Sequence, residues 1–466
     1  EHQMNISFKD EFGEVLPTLP LKQSGNIFRN NSLYSNWEEV CSNDGEVYII
    51  GNPPYVSQRN QEDIHKSDME HVFKDYENYK KLDYISCWFL KASKYIKNIQ
   101  KVAFVTTSSI CQGAQVDMLW PKIFGLDIDI IFAYDPFKWT NNAKNQAGVT
   151  VTIIGLSKKN TSRKYIFGDG LKTEVKYINA YLKSGQETII TKQNKPISDL
   201  PYMQGGNQPR EGGYLMLTDE EKIELVSSDD RISKFIRPLM GSNEFIKGIK
   251  RWCIWILDEQ LQEAKNIPLL AERIQKVYEH RKNGNSVERS FYKVPHKFVT
   301  TKSGVNNQII IPIVSSEKRQ YIPVGFLPAS VVVTSKAYSI FDPEPYVLGV
   351  LTSRIHMVWV RAVSGRLGSG FSYSSNICYN TFPFPKLSEQ AKETLNLLSL
   401  ELLVVRENHS SKKISDLYDP NLMPKDLIEV HKKIDEYVDS IFKYDGFKND
   451  EERLEHLMNL YLNIMG

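Results

Sequence analysis

The feature that most constrains the fold is an alternation of short apolar runs with helix-like segments in the first third of the chain. The runs EVYIIGN (46–52), KVAFVTTSS (101–109) and DIDIIFAYDPF (127–137) have the length and composition of buried strands. Residues 77–98 and 114–125, which lie between them, repeat apolar side chains at helical spacing. Strands that alternate with helices predict a parallel sheet with crossover helices, and therefore an α/β fold.

The next apolar run breaks this alternation. GVTVTIIGLS (148–157) begins only about ten residues after the third strand, which is too short a connection for a crossover helix. We therefore expect it to pair antiparallel with the strand before it.

The rest of the chain is divided by two changes in the pattern of apolar residues, Gly and Pro. Past residue 195 short β-rich stretches are broken by Gly and Pro, and after residue 385 the pattern is that of long amphipathic helices. We therefore expect three parts, which we call the first part (1–195), the middle part (196–385) and the C-terminal part (386–466).

Composition excludes several classes of protein. The chain of 466 residues is 41% hydrophobic and 24% charged, as in globular proteins, and no apolar stretch has the length of a membrane span. Its five cysteines lie far apart without a Cys-x-x-Cys pair, so we predict neither a disulfide framework nor a metal site, and a cytoplasmic location. The first residue is Glu1 rather than Met, which suggests an internal cut.

Charge is unevenly distributed along the chain. The C-terminal part holds 11 Lys and Arg against 16 Asp and Glu, so the net charge of +2 for the whole chain leaves +7 for the residues before it. The mildly basic charge of the first 385 residues is compatible with a nucleic-acid partner and equally with ordinary surface charge.

The sequence Asn52-Pro53-Pro54-Tyr55 follows the first predicted strand directly. Loop residues at the carboxyl end of a parallel strand line the crevice where α/β proteins bind ligands. The side-chain oxygen of Asn52 and the carbonyl of Pro53, which proline holds in a fixed geometry, form a pair of acceptors that suits an exocyclic amino group. The alternative is a proline-rich turn that only ends a strand.

Such acceptors have a chemical use. The amino group of a purine is a poor nucleophile because its lone pair is delocalised, and holding both amine hydrogens favours a tetrahedral nitrogen that can attack an activated methyl group. The ring of Tyr55 offers a face on which a base flipped out of a duplex could stack.

Several stretches resemble the catalytic motifs of DNA methyltransferases that methylate amino groups, in particular the MmeI-like (type IIL) restriction-modification enzymes. These are YIIGNPPYV, FVTTSSICQGAQVDMLW and FAYDPFKWTNNAKNQAGVTVTIIGLS in the first part, and RPLMGSNEFIKGIKRWCIWI, VSSEKRQYIPVGFL, LGVLTSRIHMVWVRAVSGRL, YNTFPFP and DLYDPNLMPKDLIEVHKKID beyond it. The resemblance covers nearly the whole chain. It implies that the first part is the C-terminal half of a Rossmann-like methyltransferase sheet, the middle part a mixed α+β target-recognition domain and the C-terminal part a helical domain.

The resemblance also implies roles for individual residues. Asn52, Pro53, Pro54 and Tyr55 would bind the target adenine, and an aromatic segment would close the other face of the base through Phe137, with Trp139 beside it. NNSLYSNW resembles a stretch that places Asn31 and Leu33, together with Asn52, near the cofactor, although Ser32 stands where alanine is usual in the family.

The implied reaction is transfer of a methyl group from S-adenosylmethionine to N6 of adenine in a specific sequence of double-stranded DNA, with no metal, in a bacterial cytoplasm. The Gly-rich and acidic motifs that bind this cofactor in the family should lie upstream of Glu1. We therefore expect an incomplete cofactor site, an N-terminal half of the same polypeptide as partner, and no activity of the chain alone.

Recognition of DNA is expected in the middle part. Residues 231–251 hold six basic residues against one acid, and Arg251 belongs to this segment; these are phosphate contacts or ordinary surface charge. The family likeness places base selection just after Gly-Arg-Leu, at residues 364–376, for which a flexible turn is the alternative. Our candidates for DNA recognition are Arg251, Arg354, Arg366, Gly368, Gly370, Ser372 and Tyr373, whereas we assign His356 and Trp252 to packing.

Two functions remain open from the sequence. The chain is either part of a restriction-modification enzyme that methylates adenine, or a sequence-specific DNA-binding module without catalysis of its own. Methylation of protein glutamine shares only the Asn-Pro-Pro-Tyr chemistry and gives no reason for the middle and C-terminal parts.

Overall fold

The computed structural model describes residues 28–139, 150–160, 162–368 and 370–466. Its first part is built on a seven-stranded sheet with the order β1-β2-β5-β3-β6-β7, in which β4 pairs with β5. The strands are β1 (Tyr48–Gly51), β2 (Lys101–Thr107), β3 (Ile128–Tyr134), β4 (Phe137–Lys138), β5 (Thr150–Lys158), β6 (Lys164–Gly168) and β7 (Leu171–Val175). The helices are α1 (Trp37–Val40), α2 (Asp63–Val72), α3 (Ser86–Tyr95) and α4 (Gly113–Phe124).

Strand directions confirm the predicted α/β architecture. β1 is parallel to β2, with Gly51 opposite Phe104. β5 lies between β2 and β3 and is antiparallel to both, as the short connection before it predicted. β1, β2 and β3 therefore run in the same direction, and their carboxyl ends meet at one edge of the sheet, which we call the carboxyl edge.

The prediction that the first strand is buried is wrong. β1 has only four residues and lies at the end of the sheet among the described strands, with β2 as its neighbour. Tyr48 is 58% exposed and Ile50 83% exposed. Apolar β-forming residues therefore lie on an open edge of the sheet.

The middle part contains three smaller sheets, with the orders β15-β10-β11-β9, β14-β12-β16-β8 and β13-β18-β17. Its strands are β8 (Gln204–Gly205), β9 (Met216–Leu217), β10 (Ile236–Met240), β11 (Trp252–Ile254), β12 (Asn307–Pro312), β13 (Val314–Ser316), β14 (Gly325–Pro328), β15 (Val332–Val333), β16 (Ala337–Phe341), β17 (Gly365–Leu367) and β18 (Gly370–Ser372). Its helices are α5 (Asp219–Ser228), α6 (Ser242–Lys247), α7 (Leu261–Lys265), α8 (Pro268–Lys282), α9 (Ser286–Arg289), α10 (Tyr346–Leu351) and α11 (Arg354–Val363).

The middle part has two cores rather than one. Most buried apolar residues of 215–298 form a core of their own, to which Val332 also belongs. Many apolar side chains of 309–384 instead join one continuous core with the first and C-terminal parts. Residues 215–298 thus have a core of their own, whereas residues 309–384 share theirs with the rest of the chain.

The C-terminal part is helical, as predicted. It consists of α12 (Glu389–Asn408), α13 (Ile414–Leu417), α14 (Lys425–Phe442) and α15 (Asp450–Met465). The apolar stripe of α14 (Leu427, Val430, Ile434 and Val438) is buried in the continuous core, with Ile441 packed against it. Within the described ranges, no helix is both long enough and apolar enough to cross a membrane.

Candidate active site

Three loops meet at the carboxyl edge of the main sheet. Asn52–Tyr55 follows β1, a 3₁₀ turn (Ser108–Cys111) follows β2, and Asp135–Trp139 follows β3. Val151 of β5 is the register partner of both Thr107 and Phe137, so the second and third loops begin at the same level on either side of β5. The sheet thus gathers the residues that the sequence singled out at separate places.

The Asn-Pro-Pro-Tyr loop holds two acceptors in different surroundings. Asn52 and Pro54 are exposed, Pro53 is buried and Tyr55 is half-buried against the core. The Tyr55 hydroxyl donates a hydrogen bond to Asn52 Oδ1. Burial raises the pKa of Tyr55, although this hydrogen bond opposes the shift, so the phenol remains a donor at neutral pH. No residue in the described ranges donates to the Pro53 carbonyl, so that oxygen is available to a ligand.

Asp83 holds this loop in place, and sequence reasoning missed it. The backbone N–H of Gln58 donates to Asp83 Oδ1 at 3.0 Å, and the Ser109 hydroxyl donates to Asp83 Oδ2 at 2.6 Å. The backbone N–H of Tyr84 donates to the Val56 carbonyl at 2.9 Å. One carboxylate therefore joins the loop after β1 to the turn after β2.

The aromatic segment after β3 is accessible. Phe137 is 36% exposed, and its ring centroid lies 6.5 Å from that of Trp139, which is half-buried. Both belong to the carboxyl edge and so remain candidates for stacking on a planar ligand.

The segment expected to contact a cofactor is firmly anchored. Asn31 is exposed and donates to Asp68 at 3.3 Å. Leu33 is 1% exposed and lies in the continuous core, so the structure gives it a packing role. Trp88 Nε1 donates to the Ser32 hydroxyl at 3.0 Å, and Lys91 donates to the Leu33 carbonyl at 2.7 Å. Serine at position 32 is therefore used as a hydrogen-bond acceptor.

The residues after Gly-Arg-Leu form a hairpin rather than an irregular turn. β17 and β18 pair antiparallel, and β18 also pairs with β13. Gly368 has φ +60 at the hairpin turn, a conformation that favours glycine. Gly370 and Ser372 lie in β18, opposite Leu367 and Gly365. The expected base-selection positions thus lie on one strand of a three-stranded sheet and at the turn that precedes this strand.

Two of the DNA-recognition candidates, one in the hairpin and one directly after it, make their contacts within the protein. The Arg366 guanidinium lies 4.0 Å from the centroid of the Phe371 ring and 3.8 Å from Glu317, and burial lowers its pKa. Tyr373 is 3% exposed and its hydroxyl lies 3.1 Å from His356 Nε2. Tyr373 is therefore a core residue, so we leave it out of the surface proposed to contact DNA, and His356 is buried as predicted.

The hairpin is anchored beside the carboxyl edge. Gly113, at the start of α4, has φ +52 and approaches Gly365 so closely that a Cβ at position 113 would lie 3.1 Å from the Gly365 backbone nitrogen. A cavity of about 400 Å³ lies between these elements and the start of α15, with Gln112, Asp135 and Arg366 among its lining residues. The hairpin, through Arg366, therefore borders one cleft with the loops that follow β2 and β3, whereas the Asn-Pro-Pro-Tyr loop is not among the residues that line it.

Most basic candidates of the middle part already have acidic partners. Arg251 lies 3.0 Å from Glu244, and Arg354 donates from Nε to Asp450 at 2.7 Å. Trp252 packs against the core formed by residues 215–298, as predicted. In the basic segment the remaining ion pairs are Arg231–Asp229, Lys234–Glu263 and Lys250–Asp219. Among the described residues, Arg237 and Lys247 alone of the six have no acidic partner.

No group of three or more His, Cys, Asp and Glu is arranged to hold a metal ion within the part of the chain that the structure describes.

Comparison with known families accounts for the chain in three consecutive stretches. Residues 1–168 match the DNA-methyltransferase domain of MmeI, residues 184–386 its target recognition domain and residues 387–465 its C-terminal domain.

Individual proteins give the same result. The chain is 42% identical over 467 residues to DNA methyltransferase A of Bacillus subtilis (strain 168), an alignment that covers 99% of this chain and 53% of the relative. It is 35% identical to the type IIL restriction-modification enzyme MmeI solved in complex with DNA, with a TM-score of 0.87 over 100% of this chain and 63% of that one. The chain thus spans about half the length of the curated relative. It belongs to the MmeI family and carries, in order, the family's DNA-methyltransferase, target-recognition and C-terminal regions.

Proposed function

We propose that this chain is the catalytic and target-recognition part of an enzyme that transfers a methyl group from S-adenosylmethionine to N6 of adenine in a specific sequence of double-stranded DNA. The observation that carries the proposal is the Asn-Pro-Pro-Tyr loop at the carboxyl edge, where Asn52 is exposed and the Pro53 carbonyl has no donor among the described residues. We also propose the domain division 1–195, 196–385 and 386–466, and action in the bacterial cytoplasm.

The loop residues have distinct tasks in this mechanism. Asn52 Oδ1 and the Pro53 carbonyl each accept one hydrogen of the adenine amino group, which directs the nitrogen lone pair toward the incoming methyl group. Both oxygens also stabilise the positive charge that develops on that nitrogen, before one of its protons is lost. Asn52 Oδ1 already accepts from the Tyr55 hydroxyl, so the adenine amine would use the second lone pair of this oxygen.

Binding of the base draws on the aromatic residues. A base leaves the DNA stack at a cost of a few kcal/mol, which contacts in the pocket must offset. Tyr55, Phe137 and Trp139 supply ring surface at the carboxyl edge, and the two acceptors supply hydrogen bonds. Asp83 keeps the loop rigid, so that little ordering is required when the base arrives.

The described residues fit one side of a cofactor site. S-adenosylmethionine supplies the methyl group on its sulfonium. Asn31 and Asn52 are exposed amides that can hydrogen-bond to an adenosine or a methionine group, whereas Leu33 is buried. A site with so few exposed contacts requires residues from elsewhere.

We propose that the preceding part of the same polypeptide completes this site and covers β1. A cavity of about 450 Å³ beside the strand is lined largely by apolar side chains, including Phe28, Trp37 and Tyr95 together with the exposed Tyr48 and Ile50. An apolar surface of this kind marks an interaction site. The curated relative is about twice as long as the matched region, so a polypeptide of that length would have further residues to complete the site and cover β1.

DNA recognition is proposed for the β17–β18 hairpin with Gly368, Gly370 and Ser372. Gly368 is exposed and Ser372 half-buried, so these two small residues leave room for the duplex, whereas Gly370 is buried and lets β18 pack closely against Ser315. Arg366 packs against the Phe371 ring and so stabilises the hairpin. Arg251 and Arg354 would have to exchange Glu244 and Asp450 for DNA phosphates. MmeI itself was solved in complex with DNA.

The test compares this 466-residue chain with the longer polypeptide to which we propose that it belongs, which we call the full-length polypeptide, in transfer of radiolabelled methyl groups to genomic DNA. We expect transfer by the full-length polypeptide and none by the chain alone. A full-length polypeptide that binds S-adenosylmethionine but modifies no DNA of any sequence would contradict the proposal.

A second function, sequence-specific DNA binding without catalysis, is favoured by the few exposed cofactor contacts and by the independent core of residues 215–298. It predicts sequence-selective DNA binding by the 466-residue chain together with the lack of methyl transfer. Binding that is indifferent to sequence and steeply dependent on salt would instead reflect general basicity.

A further inference from the structure

Arg237 differs from its basic neighbours in the segment 231–251. It lies on β10, is half-buried, and has neither an ion pair nor a hydrogen bond from its guanidinium in the part of the chain that the structure describes. Its recorded contact is with the face of Trp255, at 5.6 Å from the ring centroid. The N–H groups of this guanidinium therefore remain available to the acceptor oxygens of a ligand.

Arg237 lines a cavity of about 510 Å³ in the middle part. Lys297 and the hydroxyl residues Thr301, Ser303 and Ser330 also line it, and no Asp or Glu is among its described lining residues. The cavity reaches solvent at Ser303 and at Val305, which is 85% exposed. Much of the remaining lining is apolar, with Ile254, Leu257 and Ala329 among it, so the polar groups of the cavity are cations and hydroxyls without a carboxylate. Such groups suit an anion with several oxygen atoms.

The charge of this cavity comes from Arg237 and Lys297. Burial lowers the pKa of His296, which also lines the cavity, against the opposing effect of Asp258, so its imidazole is neutral at pH 7. Lys297 is bound to Asp258 at 2.5 Å, and Asp258 is itself exposed. Arg237 is thus the cation whose charge is not already balanced by a neighbour.

We propose that this cavity binds a backbone phosphate of DNA, with Arg237 as the principal ligand. The inference rests on the proposed function, to which it adds a positioning site remote from the carboxyl edge. Trp255 and Phe298 are 8% and 3% exposed, so neither offers a free face for stacking a base. The cavity therefore offers no ring surface on which a base could stack, and a phosphate contact at Arg237 would fix register without reading sequence.

The test measures binding of the 466-residue chain to a short duplex of arbitrary sequence as a function of NaCl concentration. Arg237→Gln should weaken binding and lower the slope of log K against log salt by about 0.9, the value for one phosphate contact. Lys247→Gln is the matched control, because Lys247 is an exposed cation of the same segment without an acidic partner among the described residues. It should leave the slope unchanged.

A second variant tests the same site if Arg237→Gln fails to fold. Ser303 is exposed at the mouth of the cavity, so Ser303→Asp should fold normally and repel a phosphate. We expect weaker DNA binding with an unchanged melting temperature. Inorganic phosphate alone, titrated by calorimetry, identifies the competing ligand.

Each outcome has one meaning. Equal slopes for Arg237→Gln, Lys247→Gln and the unmodified chain would overturn this inference while leaving DNA binding intact. Phosphate binding that depends on Arg237, with unaltered DNA slopes, would assign the cavity to a free phosphate compound and also overturn it. Failure of the unmodified chain to bind any DNA would contradict both this inference and the proposed function.

Discussion

At the scale of single residues, Asn52 is the side chain on which the proposed binding of adenine at the carboxyl edge most depends. Its side-chain oxygen is one of two acceptors proposed to hold the adenine amine. Asn52→Ala in the full-length polypeptide should lower kcat about 100-fold, the scale seen when a preorganised hydrogen-bonding group is removed from developing charge. Single-turnover methyl transfer measures this effect. Asn60→Ala, at an exposed asparagine eight residues away, is the control and should retain full activity.

Asp83 acts through the loop rather than on the base. Asp83→Asn replaces one of two accepting oxygens by a donor, so either the Gln58 N–H or the Ser109 hydroxyl loses its partner. We expect kcat for methyl transfer to fall about tenfold, because a loop displaced by a fraction of an ångström presents its acceptors poorly. The melting temperature should change little. An unchanged kcat would rule out the positioning role.

The sequence identified Asn52 but not Asp83, and the reason is physical. Asn-Pro-Pro-Tyr is a local pattern whose chemistry can be read from four consecutive residues. Asp83 lies 25 and 26 residues from its partners, and nothing in its immediate neighbours distinguishes it from an ordinary surface acid. Residue roles that arise from such tertiary contacts require coordinates.

At the scale of elements, the close approach of Gly113 to Gly365 joins α4 to the β17–β18 hairpin. Gly113→Ala would place a side chain at φ +52 and press it against the Gly365 backbone. We expect a loss of about 1–3 kcal/mol in the free energy of unfolding, measured in denaturant. Gly45→Ala is the control, since a Cβ there meets nothing within 4 Å and should leave stability almost unchanged. Equal effects of the two variants would show that the contact is unimportant.

At the scale of elements, the direction of strand pairing could be predicted where the length of a connecting segment limits the possible pairings. The short link before residue 148 predicted the antiparallel β5, which the structure places between β2 and β3. The apolar run ending at Gly51 predicted a buried strand, yet β1 lies at the sheet edge with Ile50 83% exposed. An apolar strand predicts that something covers it, but its sequence does not specify which element does so.

At the scale of the whole molecule, Asp435 links the C-terminal and middle parts. It lies on α14, accepts a hydrogen bond from the Tyr321 hydroxyl at 2.7 Å, and accepts another from the backbone N–H of Arg354 at 2.6 Å. Burial raises the pKa of Asp435 to about 7, although both hydrogen bonds oppose the shift. Near neutral pH this carboxyl is therefore poised between its protonated and ionised forms.

This shift predicts the pH dependence of stability. Between the ordinary carboxyl pKa and about pH 7 the folded state holds a proton that the unfolded state has released. The contribution is fully present below about pH 4 and is lost as pH rises through 7, by up to about 1.4 kcal/mol per pH unit. Asp435→Asn should flatten this part of the profile in denaturant unfolding from pH 5 to pH 8, whereas Asp445→Asn, at an exposed site, should not. An unchanged profile in Asp435→Asn would contradict the assignment.

The division into parts was only partly predictable. Changes in sequence texture near residues 195 and 385 indicated the mixed middle part and the helical C-terminal part. They did not reveal that Ile311, Tyr373 and Ile434 share one core, because texture reports local structure whereas a core is defined by contacts between distant segments.

The most direct test of the central claim is the identity of the methylated atom. DNA treated with the full-length polypeptide and S-adenosylmethionine is digested to nucleosides and analysed by mass spectrometry, with Asn52→Ala as the matched control. We predict N6-methyladenine, dependent on Asn52 and confined to one sequence context. Methylation at C5 of cytosine, or N6-methyladenine formed by Asn52→Ala as fast as by the unmodified protein, would contradict the account.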